Sequence, residues 1–305
     1  MIKFGVAGYP PAFHLSPFKK DRLKIFEWIK SLGLDAFEAQ MTYGPRTLKE
    51  NCIQIKHASE DFNVKVSIHA SYFIVFTSNE KTKIEQSIDT LKRTFDLANL
   101  MGSNVIVLHP GPLYGQDSIE VMARLKDNLH AFFHDLGNSE IGLFLETAGK
   151  RGQLGSVDEV LELSSQVKGC YPCVDFGHVH ARTGGTLKDA ESIDALFAKM
   201  DSLGAFEFGK IHFHYTPIHY GPKGEICHKA IEDKYETSSQ LNLSLFEQSS
   251  DDFYHPRYNQ IIKNLIDRQI DCTIISETHD SQERGALAMK KLYNEFSLLQ
   301  KPTFT

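Results

Sequence analysis

The chain has 305 residues, 41% hydrophobic and 24% charged, an ordinary globular composition, and its formal charge of −6 gives no support to a broadly basic nucleic-acid binder, although a local basic groove can sit on an acidic protein. Five cysteines make no dense disulfide framework, which favours a reducing compartment. No apolar run is long enough to span a bilayer and MIKFGVAGYPPAF lacks a signal-peptide core, so a cytoplasmic protein without a membrane partner is expected.

Short apolar runs read as strands at 2–7, 35–39, 64–69, 104–109, 141–146, 171–175, 208–213 and 272–277. Between them the apolar residues recur at helical spacing, as in 83–100 and 118–136. Several strands are nearly continuous in apolar residues, as when both faces of a parallel sheet are covered. Eight strand–helix units on this length predict an α/β fold, a (β/α)8 TIM barrel forming one domain over residues 1–305. A doubly wound open sheet is the alternative, but no Gly-rich turn follows the first strand. The polar segment 215–256, with its glycines and prolines, reads as a long insertion after strand seven on the catalytic face.

The histidines and acids fall at strand ends. Strand three ends in His69, strand four in His109, strand five in Glu146 and strand six in Asp175, with His178 just beyond; strand seven carries His212 and His214, and strand eight ends in Glu277. The carboxyl ends of barrel strands share one rim, so these residues are expected to converge. Mixed imidazole and carboxylate ligands suit zinc, manganese or iron better than calcium or magnesium. So many ligands exceed the needs of one tetrahedral ion, and a carboxylate bridging two ions is the simplest reading.

Other residues of the same types carry less. Cys170 and Cys173 have redox spacing but enter a strand, and read as one loop and one core cysteine. Cys227 beside His228 reads as a loop cysteine, and His130 and His134 as surface or packing residues of a helix. Lys19-Lys20 and Lys92-Arg93 are too short for a nucleic-acid patch.

The segments SIHASYF (67–73), VLHPG (107–111), LETAGKRGQLG (145–155), VDFGHVHA (174–181), IHFHYTP (211–217) and ISETHD (275–280) resemble, in order, the signatures of endonuclease IV, the AP-endonuclease branch of the xylose isomerase-like TIM barrels. That resemblance implies a zinc site of two or three ions that cuts duplex DNA on the 5′ side of abasic sites, by a protein taken as a monomer. It implies His69, His109 and Glu146 as ligands of a first ion, with Glu146 bridging to a second held by Asp175, His212 and Glu277. His178 is implied at a third ion together with His228. The family's Asp two positions before that histidine falls here on Ile226, leaving Glu225 as a loose substitute. Glu146 is also the implied catalytic group, and Tyr72, Phe73 and Arg46 are the implied DNA contacts, with barrel-top packing as the alternative for the two aromatics.

The chain departs from the family pattern in three places. Strand one runs into GYPPAF, the loop after strand two keeps Arg46 and little else, and the insertion is acidic at Glu232, Asp233, Glu236, Asp251 and Asp252. A second function therefore stands beside the nuclease: a divalent-metal isomerase or epimerase of a small sugar or sugar phosphate.

Overall fold

The computed structural model describes residues 1–235 and 252–299. Twelve strands are present among the described residues: β1 Ile2–Ala7, β2 Ala36–Gln40, β3 Lys65–His69, β4 Val105–Leu108, β5 Gly111–Pro112, β6 Gly142–Glu146, β7 Gln153–Leu154, β8 Cys170–Asp175, β9 His212–Tyr215, β10 Ile218–Gly221, β11 Gly224–His228 and β12 Cys272–Ser276. Eight of them close a parallel barrel in the order β1-β12-β9-β8-β6-β4-β3-β2, the expected TIM barrel. The remaining four form two small antiparallel pairs, β5 with β7 and β10 with β11, above the barrel mouth.

Local sequence sets the helices between the strands. Helix Ser118–Leu136 begins where the Asp117 side chain accepts from the Ile119 N–H, and helix Val157–Gln166 begins in a capping box of Ser156 and Glu159. Helix Lys81–Met101 stops at Gly102, which takes a left-handed φ of 67°.

Alternation along the strands separates two cores. Ile106, Leu108, Leu143, Leu145, Val174, Phe213 and Ile274 point outward into the large apolar layer shared with the helices. The opposite parity points into the barrel and holds only two small apolar clusters among the described residues, Ala7–Ala36–Ile275 and Val107–Phe144–Cys173. Glu38, Ser67, His69, Glu146, Asp175, His212 and His214 share that inward parity, and all are buried. The barrel interior is therefore unusually polar, and the outer layer supplies most of the apolar burial.

Strand seven differs from expectation. The sequence pattern predicts strand over 208–213, but Phe206 and Phe208 lie in a turn segment that packs against the outer core, and β9 begins only at His212. His212 thus opens the strand and His214 lies one pleat nearer the rim. Cys170 and Cys173 both lie in β8 and both are buried, so neither is a loop cysteine. The expected 215–256 insertion starts with the β10–β11 hairpin and closes with a bridge between Lys234 and Phe253. Residues 236–251, with Glu236 and Asp251, lie outside the described residues.

Barrel closure leaves no room at one strand crossing. Gly5 on β1 pairs with Ala36 on β2, and a Cβ at Gly5 would come within 2.5 Å of the Ala36 carbonyl oxygen. Gly5→Ala is expected to cost about 1–3 kcal/mol through overpacking, read as a lower urea midpoint at unchanged m-value.

Candidate metal centre

Glu146 ends β6 at the centre of the rim and is fully buried. Its Oε2 lies 3.2 Å from His69 Nε2 and 3.4 Å from His109 Nε2, while Oε1 lies 3.0 Å from His214 Nδ1 and 3.3 Å from His178 Nδ1. Donors about 2.0–2.1 Å from a tetrahedral zinc stand about 3.3 Å from one another, so the distances of Glu146 to His69, His109 and His214 are those of groups sharing an ion. Two observations favour an ion over simple pairing: Glu146 Oε2 and Asp175 Oδ2 are buried without a hydrogen-bond partner, and both residues belong to this cluster. An orphaned buried carboxylate oxygen is costly unless a cation meets it. The residues present therefore fit a divalent metal.

The ligand atoms fall into three groups: His69, His109 and Glu146; then Glu146, Asp175, His214 and Glu277; then His178, Glu225 and His228. Glu146 is common to the first two. Strand register explains the second, because Asp175 on β8 is directly opposite His214 on β9. Glu277, just past β12, is held at the rim by its N–H donating to the Tyr215 carbonyl at 2.9 Å. Asp175 divides its two oxygens: Oδ1 accepts from the His178 N–H at 2.7 Å, capping the short helix Phe176–Arg182 that carries His178, and Oδ2 remains for the cluster.

The third group depends on a bulge. Residues three apart on a regular strand point to opposite faces, so Glu225 and His228 should not meet. In the β10–β11 hairpin, however, Tyr220 pairs with Glu225 and His219 with Cys227, leaving Ile226 as the extra residue. Ile226 turns out to solvent, 58% exposed, while Glu225 and His228 fall on one face toward His178. The hairpin is pinned to the loop after β6 by the Glu225 N–H donating to the Gly149 carbonyl at 3.1 Å. A Cβ on Gly149 would reach within 3.0 Å of both Glu225 and His178, and a Cβ on Gly224, whose φ is +95°, would lie 2.1 Å from the Gly149 oxygen.

Backbone carbonyls orient three of the imidazoles. His69 Nδ1 meets the Ala70 carbonyl at 3.0 Å, His178 Nδ1 the Thr147 carbonyl at 2.9 Å, and His228 Nδ1 the Glu277 carbonyl at 3.1 Å. Each contact assigns the proton to Nδ1 and leaves the Nε2 lone pair facing the carboxylates. Electrostatics follow from burial beside opposite charge. Burial alone pushes Glu146 up, but the imidazoles of His109 and His214 outweigh it and hold the carboxyl well below the usual range. Burial depresses His69, yet the Glu146 carboxylate 3.2 Å from its Nε2 wins and carries it up to about 9. Burial dominates at His109, which falls to about 3.

The structure brings His69, His109, Glu146, Asp175, His178, Glu225, His228 and Glu277 together as the sequence suggested. His212 is the exception: it sits below the rim against Glu38, and His214 takes the place expected for it beside Asp175 and Glu277. The absent family Asp is met by Glu225, through the bulge. Glu38 was not foreseen as part of the site; its one trace in the sequence is a carboxylate inside an apolar strand. Tyr72 and Phe73 stand 59% and 66% exposed at the mouth, and the Tyr72 ring packs on rim histidines, stacked on His109 at 5.9 Å. Arg46 is exposed on the loop after β2. A cleft of about 370 Å³ lies over the groups, lined by His69, Tyr72, His109, Lys150, Glu225 and Glu277 among others.

Two outcomes are expected for metal loading. Zinc titrated into metal-free protein at pH 7 should release protons, because His69 must give one up to become a ligand; calorimetry in buffers of differing ionisation enthalpy reads this, and affinity should climb with pH until about 9. Gly224→Ala should displace the hairpin and lower zinc stoichiometry by the ion at His178, Glu225 and His228, measured by elemental analysis of folded protein.

An uncharacterized protein of Methanocaldococcus jannaschii is 29% identical to this chain over 298 residues, 97% of this chain and 98% of that one. The probable endonuclease 4 of Mycoplasma pneumoniae is 28% identical over 165 residues, 52% of this chain and 54% of that protein, so the match spans about half of each. Among solved structures, endonuclease IV from Thermus thermophilus superposes with a TM-score of 0.65 at 17% identity, covering 96% of this chain and 99% of that one. A D-tagatose 3-epimerase-like protein superposes with 0.63 at 18% identity, covering 97% of each chain. Residues 26–292 match the sequence model of one family, and the chain belongs to it: the xylose isomerase-like TIM barrels.

Proposed function

We propose that this protein is a zinc-dependent phosphodiesterase that cleaves DNA 5′ to abasic sites. The observation that carries the reading is the convergence of three ligand groups on one cleft, with Glu146 joining two of them and the bulged hairpin completing the third. Bound divalent ions would neutralise phosphate oxygens, lower the pKa of a water and stabilise the departing 3′-oxygen. Glu146, kept ionised by its imidazoles, would hold that water in line. Lys150 lines the same cleft and supplies a cation for a phosphate. Tyr72 and Phe73, exposed at the mouth, offer faces that stack on or wedge into a duplex where a sugar has lost its base. The half-length likeness to endonuclease 4 proteins points the same way.

A small sugar or sugar phosphate is the second reading, favoured by the modest cleft and by the acidic net charge. Glu146, Asp175, His214 and Glu277 alone would hold one ion against a vicinal diol. Manganese or iron would serve that chemistry as well as zinc.

Zinc-loaded protein is expected to incise a labelled duplex carrying one synthetic abasic site on its 5′ side. Glu146→Gln should lower the single-turnover rate by roughly 10²–10³-fold or more. Intact duplex with fully loaded wild type, together with epimerisation of a ketose or its phosphate, would replace the nuclease by the second reading.

A further inference from the structure

Three of the metal-facing histidines are oriented by backbone carbonyls, whereas His214 is held by carboxylates at both ring nitrogens. It presents Nδ1 to Glu146 at 3.0 Å and to Glu277 at 3.6 Å, and turns Nε2 down the barrel axis onto Glu38 at 3.1 Å. His214 lies mid-strand, in a β9 paired with β8 on one side and β12 on the other, so the neighbouring carbonyls serve the ladder. A side chain from the far wall must meet its lower nitrogen.

Glu38 is that side chain. It is fully buried on β2 and also accepts from Ser67 Oγ at 2.8 Å, with His212 Nε2 at 3.1 Å. Burying a carboxylate on the barrel axis costs several kcal/mol by rough estimate unless donors surround it, and here they do. The trio of Glu38, His212 and His214 has ligand-like spacing, but donors already occupy Glu38 and neither of its oxygens is orphaned, unlike Glu146 and Asp175. The trio is therefore a support beneath the metal centre. An acceptor-only group opposite Nε2 requires the proton to sit there, and leaves the Nδ1 lone pair for an ion.

We propose that Glu38 is a positioning residue: it holds His214 as the Nε2–H tautomer, aims Nδ1 at the ion shared by Glu146, Asp175 and Glu277, and raises the basicity of that ligand. The inference rests on the metal-binding part of the function proposed above and is indifferent to whether the substrate is DNA or a sugar. His212 completes the support from below, as a second donor to the same carboxylate.

Zinc affinity of Glu38→Gln, measured by chelator competition, tests it without any assay of catalysis. One class of ion is expected to bind roughly 10–100-fold more weakly, with the others unchanged. A merely structural Glu38 would lower Tm equally with and without zinc; a positioning Glu38 shrinks the rise in Tm that zinc produces. If Glu38→Gln does not fold, ¹⁵N NMR of the wild-type zinc protein decides through the His214 ring nitrogens. Protonated Nε2 is expected, and protonated Nδ1 overturns the inference. So does full zinc affinity in Glu38→Gln. Wild type that takes up no metal would remove the centre and this support together, whereas metal-loaded wild type with an indifferent Glu38 removes the support alone.

Discussion

The fold is organised around buried negative charge that must be compensated. Glu38, Glu146 and Asp175 are fully buried, and two of their oxygens have no hydrogen-bond partner. Carboxylates removed from water are tolerated only against cations or several donors. Each feature of the barrel mouth answers that demand. Imidazoles arrive from β3, β9, the loop after β4, the short helix after β8 and the hairpin. Without metal the imidazoles themselves carry protons, as the raised His69, His178 and His214 indicate, where carboxylates outweigh the burial that would otherwise lower them. With metal, the same carboxylates face dications. The protein thus has two ways to neutralise one cluster, and proton release on metal uptake links them.

A polar interior is tolerated because stability is supplied elsewhere. The outward parity of the strands packs Phe4, Val6, Phe37, Ile68, Phe213 and Ile274 into the large layer beneath the helices. The inward parity is then available for function from the rim down to His212. Polar contacts run the same way, from Glu146 through His214 and Glu38 to His212, so side chains two layers deep bear on the geometry of the top layer.

Much of this was legible in the sequence. Strands three to six and eight are apolar runs that stop at a polar residue, so pattern and chemistry coincide, and His69, His109, Glu146, Asp175 and Glu277 could be read as one rim. Strand seven was misplaced because its residues alternate as His-Phe-His-Tyr, while the more apolar Phe206 and Phe208 before it belong to a turn against the outer core. The family resemblance pointed to the first histidine of that alternation, His212, where the structure brings His214 to Glu146, Asp175 and Glu277. Glu38 escaped notice because its partners are 29 and 174 residues away, Ser67 and His212. Glu225 was undervalued because a bulge is a property of pairing between two strands, and β11 alone does not reveal that Ile226 is the extra residue.

The hairpin has one more consequence. Its strands take no part in barrel closure: β10 pairs with β11 outside the barrel sheet, and the ribbon meets the loop after β6 through a Lys150–Gly224 bridge. Glu225 and His228 are thus carried by a module that can be lengthened, shortened or slipped by one position while the foundation below stays intact. Deleting the extra residue Ile226 would leave Glu225 and His228 two apart on a regular strand and still on one face. Straightening the bulge at its present length would instead turn one of them away from His178 and dismantle the third ligand group. The register of one surface ribbon therefore decides whether this third ligand group exists, independently of the strands that form the floor beneath it.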